Sequence, residues 1–279
     1  MNFSSPPAIP KSPGMTIPHF LKEANVVVHE VKSLTTGQLK GVLGDPSSAI
    51  ASAATKAFDK WDFDIKPRSD EKGEWNEEAS HLVPAVHAFD GFAFKKLDGR
   101  SLSDEGFNYC SNHLRILDPI YGVLKGSDGV QEYRMELDNK ALDVDEKTLK
   151  EFWKGLVTGR FVEEFEGQEA GVILDAASTE YSSLLDRVRL EAANIRLYEI
   201  KFAGPGGKNP PSATLKHLRG LFTRWCADNN VVDLVGAKGF DLEGYEFDRV
   251  DEGKKGASLS FKKRGEGGKE PAKKKQKKN

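Results

Sequence analysis

The chain has 279 residues, 38% of them hydrophobic and 30% charged, with a mean hydropathy of -0.52. That length can bury one large core without disulfides, and no apolar run nears the roughly 20 residues that a membrane-spanning helix needs. The net charge of -2 hides a division: residues 262–279 hold nine Lys/Arg and two Asp/Glu, a local +7, which leaves the body at -9. An acidic body does not draw nucleic acid through its overall field, so any such contact must come from a local patch or from the tail. The first residues lack the apolar stretch of a secretory signal, and the two cysteines, Cys110 and Cys226, lie far apart on helix faces expected to be apolar. A reducing compartment is the expectation.

In chain order, residues 1–14 are rich in Pro and Ser and read as irregular, and a domain is expected over 15–263. Apolar residues at helical spacing predict a helix over 18–34. Thr35 is placed to cap a short helix to 42, and an Ala-rich helix follows over 46–61. A charged loop spans 62–80. The apolar run 81–94 reads as a strand turning into a buried segment. Ser103, with Asp104 and Glu105 behind it, predicts a helix to about 117, followed by a turn at Asp118-Pro119, an apolar segment and a polar loop. Further on come a helix over 145–165, a strand over 171–177 running into a polar loop at 178–181, a strand over 194–203 and a Gly/Pro loop. A helix over 214–228 and a closing hairpin of 245–250 with 257–263 complete the body. Strands interleaved with helices predict one mixed α/β (α+β) domain, a central mixed sheet surrounded by helices. Residues 264–279, with five lysines in 273–278, cannot bury apolar surface and are expected to be a disordered tail, a nuclear address or a solubilising leash.

Three groups of residues have the chemistry for a site. On the 214–228 helix, Lys216, Arg219 and Thr223 form a polar stripe beside an apolar face of Leu215, Leu218, Phe222 and Trp225, with His217 and Arg224 pointing away. Residues 186–224 carry a local +5, so Lys216 and Arg219 read either as an anion site or as a solvated face. Ser178, Glu180 and Tyr181 follow a buried strand, where α/β folds place ligand groups. Arg115, Tyr121, Arg134 and Glu136 crowd a segment too rich in arginine and tyrosine for an exposed loop. Arg134 and Glu136, two apart, would share one face of a strand, either as site residues or as an ion pair fixing the loops. The six histidines lack paired ligand spacing apart from His81 and His87, so neither a metal nor another cofactor is expected.

The central stretch HLRILDPIYGVLKGSDGVQEYRMEL, starting at His113, fits the form HLR-h-L-x-x-h-YG-h-L followed by YR-h-E, where h is apolar. Added to it are AF-x-G at 88–91, EFW-x-G at 151–155, AS-x-EY at 177–181, K-x-x-RG at 216–220 and GF-x-x-x-GY-x-F-D at 239–248. In this order and spacing the chain resembles the YaaA peroxide-stress family over residues 3–263. The resemblance implies a stress protein of the cytoplasm or nucleus that binds DNA without sequence preference and limits iron-driven damage. An enzyme acting on a polar small molecule or a nucleobase is the alternative.

It also implies a helix-hairpin-helix element that holds a backbone phosphate on free N–H groups, here around Tyr121, Gly122 and Lys125. Pro119 supplies no N–H and Asp118 would repel phosphate, so a purely structural turn is the competing expectation. Relatives open with an apolar strand and a lysine segment of the type SPAKTL, whereas the match here begins at Met1-Asn2-Phe3. The sheet is therefore expected to lack a strand and to expose an edge, through a shortened gene reading or a lost element. Asp118-Pro119 stands where relatives commonly have Ser-Gly, and Gly91-Phe92-Ala93-Phe94 replaces a GDVY-like tetrad.

Overall fold

The structure, a computed structural model, describes residues 14–44, 46–64, 82–139, 141–253 and 256–264. The expectations for the proline-rich start and for the lysine-rich tail lie outside these residues, apart from Gly14 and Arg264.

Three helices open the described chain: α1 (Leu21–Ser33), α2 (Thr36–Val42) and α3 (Ser48–Asp59). Ala24, Val27, Val28 and Val31 recur at the 3.6-residue period and form the buried side of α1. Thr35 and Gln38 close a reciprocal capping box at the start of α2. The run expected as a strand turns after two residues, β1 (Val83–Pro84), into the one-turn helix α4 (Ala85–Ala88) and then α5 (Phe92–Leu97). Its apolar content misled, because α4 is buried all round while Phe92 of α5 stays 65% exposed.

Ser103 caps α6 (Asp104–His113) through the Gly106 amide, as its position predicted. The helix stops four residues before the expected end. Leu114 turns to extended backbone and β2 (Arg115–Asp118) pairs antiparallel with β3 (Gly122–Lys125), Asp118 opposite Gly122. The expected helix-hairpin-helix is thus a helix followed by a β-hairpin. β4 (Gly129–Val130) returns to β1. A short pair, β5 (Asp143–Val144) and β6 (Lys147–Thr148), leads into α7 (Leu149–Glu164), capped by a second box from Thr148 and Glu151.

The second half supplies the mixed sheet. β7 (Gly171–Asp175) runs through α8 (Thr179–Ser182) and α9 (Arg187–Ala192) to the parallel strand β8 (Ile195–Ala203). Then α10 (Ser212–Asp228) and α11 (Leu234–Ala237) precede β9 (Tyr245–Gly253) and β10 (Gly256–Lys263). The strand order is β7-β8-β10-β9, with β10 parallel to β8 and antiparallel to β9. The four strands are contiguous, with β7 and β9 as the edges among the described residues.

Alternation along β8 feeds two cores. Ile195 and Leu197 join the core built by α1, α3, the β2–β3 hairpin and α7. Ile200 and Phe202 face the other way and pack with Leu218 and Phe222 of α10 and with Leu259 and Phe261 of β10. The chain is a mixed α/β domain, and among the described residues no helix is long and apolar enough to cross a membrane.

Candidate functional site

The β2–β3 hairpin is organised by a fully buried carboxylate. Asp118 Oδ1 accepts hydrogen bonds from the Ile120 and Tyr121 amides, both at 2.8 Å, and its Oδ2 accepts the Tyr133 hydroxyl. The first two bonds hold the turn that Pro119 begins. The third ties it to the irregular segment 131–136. Burial raises the carboxyl above its ordinary range, although the three donors oppose the shift. Tyr121 is also fully buried, with its oxygen accepting from the Gln131 amide at 3.1 Å.

Gly122 has φ +69, and a Cβ there would lie 2.5 Å from the Trp153 ring, whose indole N–H donates to the Pro119 carbonyl. The glycine is required because an indole covers its α-carbon. Tyr121 and Gly122 therefore lie in the core, away from any nucleic-acid backbone. Of the three residues expected to hold phosphate at this turn, only Lys125 reaches the periphery, where its amide donates to Asp128.

The AS-x-EY motif reaches the same neighbourhood. Asp175 at the end of β7 accepts from the Ala177 amide at 3.0 Å and from the Ser182 hydroxyl, fixing the chain as it enters α8. Ser178 is the N-cap of α8 without a side-chain capping bond. Glu180 accepts the Asp138 amide at 3.1 Å. Tyr181 lies half-buried, its phenol pushed well above its ordinary range by burial and then by Asp118, Glu180 and Glu136. Arg134 pairs with Glu136 at 3.6 Å, on a segment outside regular secondary structure. Asp118, Glu180 and Glu136 thus all act on the Tyr181 phenol. Arg115 is held elsewhere: its Nε donates to Glu164 at 2.8 Å, and Arg160 supports the same carboxylate at 3.0 Å. Sequence reasoning missed Asp118 and Tyr133 as site residues. The available signal was an aspartate between apolar neighbours with tyrosines three and fifteen residues on.

Helix α10 carries the third group. Gly220 meets α5 so closely that a Cβ would lie 1.9 Å from the Ala93 carbonyl oxygen. Arg224, expected to point away, instead reaches the end of α5, donating to the Leu97 and Asp98 carbonyls while pairing with Asp228 at 2.9 Å. His217 lies 2.7 Å from Glu243. Lys216 is exposed, and the Nε of Arg219 is buried with no hydrogen-bond partner among the described residues. Arg115, Arg160, Arg196, Arg224, Arg249 and Arg264 each hold a carboxylate, so Arg219 stands apart from them.

Among the described residues no three His, Cys, Asp or Glu side chains are arranged to hold a metal ion. Cys110 and Cys226 are buried, and burial pushes both thiols up to about 12. Thiolate chemistry is suppressed at neutral pH. At pH 8 both thiols are expected to resist a disulfide reagent until the protein unfolds. Rapid titration of either in the native state would contradict the packing described.

A family model described as "Peroxide stress protein YaaA" matches residues 1–250. A UPF0246 protein of Flavobacterium johnsoniae is 34% identical over 233 residues, covering 84% of this chain and 86% of its own. One from Clostridium botulinum is 30% identical over 83% of this chain and 85% of its own, and one from Pseudoalteromonas translucida is 29% identical over 88% and 89%. With the matched segments running from the N-terminal residues through the hairpin, α7 and most of β9, the chain belongs to the YaaA family of peroxide stress proteins.

Proposed function

We propose that this peroxide stress protein associates with DNA without sequence preference through α10, and so limits iron-driven damage where the nucleic acid lies. The carrying observation is the exposed Lys216 one turn before Arg219, a partly exposed arginine that makes no ion pair among the described residues. A guanidinium that no carboxylate of the chain engages can pair with a phosphate, and a lysine beside it adds charge. Duplex binding by a chain ending at Arg264, followed by fluorescence anisotropy at several salt concentrations, tests this reading. Affinity should fall with salt, and Lys216→Ala and Arg219→Ala should each lower the slope by about one unit. Salt-independent or absent binding would remove the proposal.

A second reading is favoured by Tyr181, on whose phenol Asp118, Glu180 and Glu136 act, with Ser178 at the start of the same helix. These groups suit an enzyme acting on a polar small molecule or a nucleobase. Glu180→Gln would then abolish turnover and leave affinity little changed. For location we propose the cytosol or nucleus, with the Lys-rich tail as a weak nuclear address. An unchanged distribution of a fluorescent fusion lacking residues 265–279 would assign the tail no such role.

A further inference from the structure

Each of the two cores of this domain holds a cluster of aromatic rings. Around α10 the centre is phenylalanine: Phe202, Phe222, Phe240 and Phe261 stack at 5.2–5.9 Å between ring centroids. Tyr245 and Trp225 flank this cluster, 5.6 Å from Phe202 and 5.7 Å from Phe240. Beneath the hairpin, with Phe58 and Phe89 packed beside them, lie Trp61, Tyr121 and Tyr133, with centroids 5.6 Å (Trp61–Tyr121), 5.9 Å (Tyr121–Tyr133) and 6.5 Å (Trp61–Tyr133) apart. Each of the three rings is at least 95% buried.

Each ring also carries a polar atom that must be satisfied inside the core. The Trp61 indole donates to Asn25 at 3.0 Å, Tyr121 accepts from the Gln131 amide, and Tyr133 donates to Asp118. Phenylalanines would fill this volume without burying a phenol or a carboxylate, so packing alone does not explain the choice. What these rings share, and phenylalanine lacks, is ease of one-electron oxidation. Among them Tyr133 alone donates its phenolic proton to a buried carboxylate. Tyr181 is half-buried and packs against this same core, on a helix that contacts β2.

We propose that Trp61, Tyr121, Tyr133 and Tyr181 form an oxidisable relay, with Asp118 as its proton acceptor, which takes up one-electron oxidising equivalents and delivers them to a reductant at Tyr181. The oxidant is of the class that peroxide yields with ferrous iron, the hydroxyl radical. It gains one electron from the ring system and a proton from solvent, and becomes water. As the electron leaves Tyr133 its O–H bond breaks and the proton passes to Asp118 Oδ2, leaving a neutral phenoxyl radical beside a neutral carboxylic acid. No charge is left in the core, where an unpaired one is costly. A small thiol or ascorbate-type donor then returns the electron by way of Tyr181, and Asp118 returns the proton to Tyr133. The relay does not depend on whether α10 binds DNA.

The test is photo-oxidation of the full chain by ruthenium(III) tris-bipyridine, generated by light with persulfate as electron acceptor, followed by electron paramagnetic resonance. All six tyrosines lie among the described residues, three of them in the relay and three (Tyr109, Tyr198 and Tyr245) outside it. A persistent neutral tyrosyl radical is expected. It should be lost in Tyr133→Phe and reduced in Asp118→Asn, and retained in Tyr109→Phe, Tyr198→Phe and Tyr245→Phe. Circular dichroism establishes folding of each variant. Should Tyr133→Phe fail to fold, Tyr181→Phe decides: the radical should form as before and be quenched more slowly by ascorbate. A radical that survives Tyr133→Phe in folded protein, disappears with one of the three outer tyrosines, or is quenched at the same rate in Tyr181→Phe would overturn the proposal.

Discussion

Asp118→Ala is expected to lower the unfolding free energy by about 3–5 kcal/mol, because it strands three buried donors at once. The Ile120 and Tyr121 amides and the Tyr133 hydroxyl all end on this carboxylate, and none of the three residues has solvent nearby to replace it. Asp118→Asn keeps an oxygen for the two amides and should cost much less. The pH dependence separates the roles of charge and hydrogen bonding. Burial raises the Asp118 carboxyl, so the folded state holds this proton more tightly than the unfolded state. The linked stability is fully present below the unfolded pKa and is lost as pH rises through the folded value. Relative to the parent, Asp118→Asn should therefore gain stability as pH rises through that window. Urea unfolding at several pH values, with m held constant between variants, measures this directly. Equal losses for Ala and Asn would show that Asp118 does not hold the turn.

Two helical glycines from the family motifs are expected to respond to alanine with opposite signs. In a helix interior alanine is favoured over glycine by about 1 kcal/mol, so the sign of the substitution turns on whether a Cβ fits. At Gly155 of α7 a Cβ would meet nothing within 4 Å, and Gly155→Ala should stabilise by about 0.4–1 kcal/mol. At Gly220 the Cβ would fall 1.9 Å from the Ala93 oxygen and 2.7 Å from its carbonyl carbon, both backbone atoms. They yield only if α5 moves off α10, which also pulls the Leu97 and Asp98 carbonyls away from Arg224. A loss of about 1–3 kcal/mol is expected, the range for overpacking a close contact. Thermal melts of the two variants side by side check the signs. Stabilisation by both substitutions would mean that α5 and α10 are not in the contact described.

What the sequence made legible was local. The Thr35 and Ser103 caps and the apolar alternation of β8 are settled within a few residues and are found where the pattern puts them, whereas α7 begins at Leu149, four residues after the expected start. The end of α6 is not local. His113 to Leu117 continues a helical spacing, and only the pairing of Arg115–Asp118 with Gly122–Lys125 converts it to a strand. The same limit applies to the site. Arg115 is occupied by Glu164, 49 residues away, and Arg224 by the end of α5, more than 120 residues away. Neither partner is visible in a motif. Asp118 read as a group that would repel phosphate, whereas its buried hydrogen bonds make it the centre of the hairpin.

The measurement bearing most directly on the proposed nucleic-acid contact compares α10 with the hairpin in one titration. Duplex binding by the chain ending at Arg264 is followed against salt for the parent, for Lys216→Ala combined with Arg219→Ala, and for Lys125→Ala. The account predicts that the slope falls by about two units in the α10 double variant and stays unchanged in Lys125→Ala. A slope lowered by Lys125→Ala and untouched by the α10 pair would contradict it and return the contact to the hairpin.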